Sequence, residues 1–289
     1  MSIKVAVSGA NGFIGRYVIR ELISHKVETV AITRKGKRDN IPKGCTVVNV
    51  DIHSPPENVF SIIGKPDVLI HLAWGGLPNY MSLHHFEEEL PSHYRFLKEL
   101  ILSGLPCLLG VGTCLEYGTQ AGELSEDMPT RPSTPYGFAK DALRHQLEFL
   151  KTTIPFKFTW ARLFYLFGEG QSQTSLWSQL KLAIERKEKV FPMSGGEQLR
   201  DYLPVEEVAK QLVALALLRQ DNGIVNVCSG HPISVRRLVE SWLRENKWEI
   251  KLDLGRFPYQ DYESIAFWGS RKKLDSILHK YAAKLSSTI

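Results

Sequence analysis

Tyr136 and Lys140 stand four residues apart. On a helix that spacing puts both side chains on one face, one turn apart. A phenol ionises near pH 10, so it is a poor base at neutral pH, and an ammonium held beside it favours the phenolate. A tyrosine tuned in this way can give a proton to, or take one from, an oxygen on a carbonyl or alcohol carbon. Pro135 directly precedes Tyr136. Proline is tolerated in the first turn of a helix, so the sequence predicts a helix opening at Tyr136 and running to about Lys151. Such pairs also decorate ordinary surface helices, so the weight of this one depends on the elements around it.

The first of those elements is a glycine turn. Ile3 to Ser8 reads as a short buried strand, followed at once by Gly9-Ala10-Asn11-Gly12-Phe13-Ile14-Gly15 and an amphipathic helix from Arg16 to Ser24. Glycines between a strand and a helix N-terminus let backbone N–H groups approach a pyrophosphate, and the helix dipole favours its charge. The spacing is G-x-x-G-x-x-G. Val27 to Thr33 reads as the second strand, and its end is where a dinucleotide site meets the adenosine ribose. An acid there would bind the 2′-hydroxyl of NAD. This chain instead has Thr33-Arg34-Lys35-Gly36-Lys37-Arg38 and no acid before Asp39. An arginine can accept a 2′-phosphate, so the sequence favours NADP (as NADPH), with NAD possible.

Further strands are expected at Thr46 to Val50, which ends in Asp51-Ile52, and at Asp67 to Ala73, which opens onto Trp74-Gly75-Gly76. Pro106 to Val111, Phe156 to Phe164 and Ile224 to Val227 read likewise. Helices are expected at Pro55 to Ile63, Phe86 to Ser103, Thr174 to Glu188, Glu206 to Arg219 and Ser234 to Asn246, the last capped by Ser234. Alternating strands and helices imply βαβ units. The expected fold class is α/β, a Rossmann-like doubly wound parallel sheet with a smaller C-terminal α/β substrate-binding lobe. Residues 1–165 would bind dinucleotide, 166–289 mainly substrate, with 203–230 returning to the first unit. Ligands of such sheets bind beyond the carboxyl ends of the strands. Thr113 falls there, with a hydroxyl able to donate to a substrate oxygen, and Cys114 adjoins it as a small side chain with no partner base.

The 289 residues are enough for one large α/β unit or two intimate domains. The net charge of +5 is mild and no long basic run occurs, so nucleic acid is not an expected partner. No stretch is long and apolar enough for a membrane span, and the first residues run straight into a strand pattern rather than a signal peptide. The four cysteines form no C-x-x-C pair, which suits a reduced, cytoplasmic protein. His71, His84, His85 and His93 raise the question of a metal, but no H-x-x-x-H pair or acid cluster completes a site, so no metal is expected.

Taken in order, these motifs resemble the extended short-chain dehydrogenase/reductase family, in particular its nucleotide-sugar enzymes. The resemblance runs from Gly9 to about Leu274. It rests on the glycine turn, Asp51-Ile52, His71-Leu72-Ala73, Thr113 ahead of Tyr117-Gly118, Tyr136 with Lys140, Arg162-Leu163-Phe164 leading to Gly168 and Gln171, and Arg200-Asp201-Tyr202. It implies a catalytic triad of Thr113, Tyr136 and Lys140. Gly9, Asn11, Gly12, Phe13, Ile14 and Gly15 would face the pyrophosphate, Asp51 and Ile52 the adenine, and Leu72 and Ala73 the path to the nicotinamide. Cys114, Gln171 and Arg200 would meet a nucleotide-sugar substrate, and a homodimer through the helices at Phe86–Ser103 and Tyr136–Lys151 is possible. Cys114-Leu115 stands where the family's 4,6-dehydratases have an acid pair, which argues against dehydration. The short chain, Arg34, His71-Leu72-Ala73-Trp74 and Gly255-Arg256-Phe257-Pro258-Tyr259 favour a 4-keto-6-deoxyhexose reductase. A 4-epimerase with tightly held NAD and a non-catalytic dinucleotide sensor are the alternatives.

Overall fold

Short β-branched runs, each followed by an amphipathic helix, build the chain in the computed structural model, which describes residues 3–34, 40–259, 262 and 264–286. The first half holds β1 (Lys4–Ser8), α1 (Phe13–Ser24), β2 (Glu28–Thr33), β3 (Thr46–Asn49), α2 (Val59–Ile62) and β4 (Val68–His71). It continues through α3 (Leu90–Leu102), β5 (Cys107–Thr113), β6 (Gly122–Leu124), α4 (Pro135–Thr153) and β7 (Lys157–Leu163). The second half holds β8 (Tyr165–Phe167), α5 (Leu176–Glu185), β9 (Val190–Pro192), β10 (Leu199–Pro204), α6 (Val205–Leu218) and β11 (Gly223–Val227). It ends with β12 (Pro232–Ser234), α7 (Val235–Asn246), β13 (Lys251–Asp253), β14 (Phe267–Gly269) and α8 (Lys272–Ser286).

Seven strands form one sheet in the order β11-β7-β5-β4-β1-β2-β3, every pair parallel. Side chains alternate across it, as period two requires. Val5 and Val7 of β1 face one core with Val18 and Ile19 of α1 and Leu212 of α6. Ala6 between them faces the other, with Leu97 and Leu100 of α3 and Leu143 and Leu147 of α4. A sheet covered on both faces is the doubly wound arrangement. Strand order reverses between β1 and β4, which opens a crevice at their carboxyl ends. Among the described residues no helix is long and apolar enough to cross a membrane.

Two expected helices differ from observation. Only Val59–Ile62 of the expected Pro55–Ile63 helix forms, because Pro55-Pro56 removes two N–H donors and restrains the preceding residues. The expected Phe86–Ser103 helix opens as a π-helical turn over His85–Glu89 before α3. Pro91, in the first turn of α3, lacks an N–H and crowds the carbonyl four residues back, and the wider turn relieves that conflict. The short strands β6, β8, β9, β10, β12, β13 and β14 pair in small sheets of two or three. Mostly three-residue segments carry too little alternation to be read from sequence.

Candidate active site

The glycine turn closes tightly between β1 and α1. Gly9 has a φ of 71°, and a Cβ there would lie 2.8 Å from the Ala73 nitrogen at the end of β4. A Cβ on Gly15 would lie 2.2 Å from the Gly9 carbonyl oxygen. Helix α1 starts at Gly12 with no side-chain cap, which leaves its dipole facing the crevice. Phe13 and Ile14 open α1 half-buried, with side chains packed against the core.

A cavity of about 310 Å³ opens in front of this turn, with Gly9, Asn11 and Gly12 on its floor. Thr33, Arg34, Asp51 and Ile52 line one end, and Leu72 and Ala73 the other. Lys35 to Asp39, which the sequence reading also invoked, lie outside the described residues. A cradle that any Cβ would fill, set at an uncapped helix N-terminus, fits the pyrophosphate of a dinucleotide.

Beyond Ala73 lie the three residues of the expected triad. Thr134 caps α4 by accepting from the Gly137 N–H at 3.0 Å, and Pro135 supplies the first turn. That fixes Tyr136 and Lys140 on the buried face, 8% and 2% exposed. Thr113 ends β5, where its hydroxyl accepts from the Leu115 N–H at 3.3 Å. Burial raises the Tyr136 phenol above its ordinary range, with Tyr80, Glu116 and Cys114 adding to the shift and the Thr113 side chain opposing it. A neighbouring ammonium would lower the phenol, as the spacing leads one to expect, but desolvation wins and Tyr136 is held protonated. Burial also pushes the Lys140 ammonium down to about 8, against the pull of Glu116 and Glu89.

Cys114 is buried in the 3₁₀ turn Cys114–Tyr117 and packs with Tyr117, Phe164 and Cys228. Gln171 sits in the loop after β8, its amide nitrogen donating to the Leu166 carbonyl at 2.9 Å. Arg200 is buried in β10, donates to the Leu199 and Ile265 carbonyls at 2.9 and 3.1 Å, and lies 4.6 Å over the Phe267 ring. Thus Gly9, Asn11, Gly12, Arg34, Asp51, Ile52, Leu72 and Ala73 share one cavity. Thr113, Tyr136 and Lys140 form a second, adjoining cluster, and Gln171 and Arg200 belong to the smaller sheets.

Two buried acids escaped the sequence reading. Glu116 accepts from the Thr113 N–H at 2.9 Å, the Trp160 indole at 3.0 Å and Arg162 Nε at 2.7 Å. Glu89 lines the cavity beside His53, Trp74, Gly75 and His93. Its only sequence signal is the i, i+4 spacing to His93. Among the described residues no group of His, Cys, Asp or Glu is disposed to hold a metal ion; His53, His84 and His93 gather on the Glu89 carboxylate instead.

The fold is that of a Rossmann-like α/β protein. The chain belongs to the NAD dependent epimerase/dehydratase family, whose profile matches residues 5–228. It is 30% identical over 270 residues to the dTDP-6-deoxy-L-talose 4-dehydrogenase (NAD(+)) of Aggregatibacter actinomycetemcomitans, covering 92% of this chain and 99% of that one. It is 22% identical over 254 residues to the dTDP-4-dehydro-6-deoxyglucose reductase of Escherichia coli, with 82% and 80% covered. Its fold matches the structure of MoeE5 in complex with UDP-glucuronic acid and NAD, with a TM-score of 0.81, 24% identity and coverage of 96% and 92%.

Proposed function

We propose that this protein reduces the C4 keto group of a nucleotide-linked 4-keto-6-deoxyhexose, with NADPH as the preferred donor. The observation that carries the reading is Tyr136 and Lys140 buried together on one face of α4, with Thr113 at the end of β5 and burial keeping the phenol protonated. A protonated phenol gives a proton, which is what the oxygen of a ketone needs as it becomes an alcohol. Two relatives named for oxidation and reduction at C4 of 6-deoxyhexose nucleotides support the substrate class.

The nicotinamide would supply the hydride when bound. Thr113 would hydrogen-bond the C4 oxygen and align the carbonyl, Tyr136 would donate its phenolic proton to that oxygen, and Lys140 would steady the charge left behind. The Gly9–Gly15 turn would hold the pyrophosphate, Asp51 and Ile52 the adenine, and Arg34 a 2′-phosphate. Residues 1–165 would carry the dinucleotide and 166–289 mainly the sugar nucleotide, with Cys114, Gln171 and Arg200 on the substrate's side of the cleft.

Tyr136→Phe tests this. Dinucleotide binding should persist while turnover, read as loss of reduced-nicotinamide absorbance on a panel of NDP-4-keto-6-deoxyhexoses, falls at least about 10²-fold. Near-normal turnover would sink the assignment. A second reading, 4-epimerisation with retained NAD, draws on the NAD in the names of the first relative and of the MoeE5 complex. It requires no net cofactor oxidation and inverted C4 stereochemistry by NMR; comparing NADPH with NADH in the same assay tests the role given to Arg34.

A further inference from the structure

A buried chain of hydrogen bonds runs along the cavity wall that the reaction above does not use. It begins at Ser8, whose hydroxyl meets His71 Nδ1 at 2.8 Å. His71 Nε2 lies 2.7 Å from His93 Nδ1, and His93 Nε2 lies 2.9 Å from Glu89 Oε2. An ionised carboxylate only accepts, and with burial keeping both rings neutral the protons follow. His93 Nε2 donates to Glu89, so its Nδ1 accepts from His71 Nε2–H, and His71 Nδ1 accepts from Ser8. All donors point toward Glu89 and both rings stay neutral. The Glu89 carboxylate also takes the Gly75 N–H at 2.7 Å, His53 Nε2 at 2.9 Å and His84 Nε2 at 3.0 Å. With two bonds to each oxygen its acceptor capacity is filled, so it is not placed to bind a ligand.

The chain instead grips the loop that follows β4 at both ends. The Ala73 N–H reaches Ser8 Oγ at 3.5 Å, and Gly75 meets Glu89 so closely that a Cβ there would lie 2.6 Å from the carboxylate. Between them Trp74 packs its ring on His93 at a centroid distance of 4.6 Å, and Lys140 Nζ sits 4.2 Å from the indole centroid. A cation over an indole face gains most where water is excluded.

We propose that Glu89 is a positioning residue: through the 73–75 loop it holds the Trp74 face against Lys140, and with its own charge keeps that amine an ammonium inside the protein. This rests on the roles given above to Tyr136 and Lys140. The other titratable groups acting on Lys140 are Glu116, His71 and His93. Around Glu89, Glu88 and Asp51 act only through His84 and His53.

The test reads Lys140 directly. Carbon-13 labelling of lysine, followed by an NMR titration of the Lys140 Cε signal in the cofactor-free protein, gives the midpoint of its ionisation, about 8 in the wild type. Glu89→Gln and Trp74→Leu should each move that midpoint to lower pH by about 0.5–1, and the high-pH limb of kcat should follow it. An unchanged midpoint in a folded Glu89→Gln protein overturns the proposal. If that variant does not fold, Trp74→Leu decides by the same readout, since it leaves the carboxylate in place. Should Tyr136→Phe keep its turnover, the reaction assigned above falls, and the titration midpoint still decides the role of Glu89.

Discussion

Two buried carboxylates act on Lys140, and the protein neutralises them with different chemistry. Glu116, fully buried, is held by a backbone amide, an indole and a guanidinium. None of those donors titrates in the accessible range. Glu89, 2% exposed, is held by one amide and three imidazoles. Burial works to raise the Glu89 carboxyl, but hydrogen bonds from His93, Gly75 and His53 outweigh it and hold the acid well below its ordinary range. The Glu116 carboxylate is therefore held by donors that do not titrate, and the Glu89 carboxylate mainly by imidazoles.

The largest effect should come from breaking the fixed side. Glu116→Ala takes the nearer carboxylate from the Arg162 guanidinium, 1% exposed, and leaves it Asp141 at 3.8 Å. Removing one partner of a buried ion pair costs about 3–5 kcal/mol. A shift in the urea midpoint equivalent to less than about 1 kcal/mol would mean that Glu116 is not the structural anchor described here.

The titratable side should respond to acid instead. Burial lowers both His71 and His93, the former well below 6.5. The unfolded chain takes up these protons near 6.5 and the native state resists them. Native stability is thus full above 6.5 and falls as pH drops below it. Over the pH unit below 6.5 each histidine that resists protonation costs the fold at most about 1.4 kcal/mol, a few degrees of Tm for a chain of this size. Calorimetry across that range should show the slope, and His93→Gln should flatten it by roughly half. A Tm independent of pH would contradict the neutral relay. Glu89 adds its own loss only at lower pH, as the carboxylate of the unfolded chain protonates.

The smallest effect is expected at the rim. His84 is raised, burial opposing and Glu88 and Glu89 prevailing, yet its side chain is 32% exposed. His84→Ala should change stability by no more than about 0.5 kcal/mol. A larger change would show that the exposed histidine carries more of the Glu89 charge than its solvation allows.

How much of this was legible beforehand differs between the two sides. The Thr113, Tyr136 and Lys140 cluster was readable because each residue belongs to a local signal: a strand end, a proline-started helix and an i, i+4 spacing. Even there the direction of the Tyr136 shift was misjudged, because burial is not written in spacing. Glu89 was hidden in an acidic run, Glu87-Glu88-Glu89, where only the turn imposed ahead of Pro91 selects which carboxylate points inward. His53 and His93 come from segments 40 residues apart and meet only across the sheet edge. The small sheets of the second half were missed because strands of three residues are stabilised by partners distant in sequence.

By itself the sequence determined the alternation of strands and helices, the glycine turn that only residues without a Cβ can close, and the face of α4 that carries Tyr136 and Lys140. These follow from local periodicity and backbone sterics, which a sequence encodes within a few residues. The tertiary structure alone decided which acids are buried, which histidines answer them, and that Lys140 lies against Trp74. Those are questions of desolvation and of contacts across the fold, and they have no value until the sheet has brought β1, β4, β5 and α3 together.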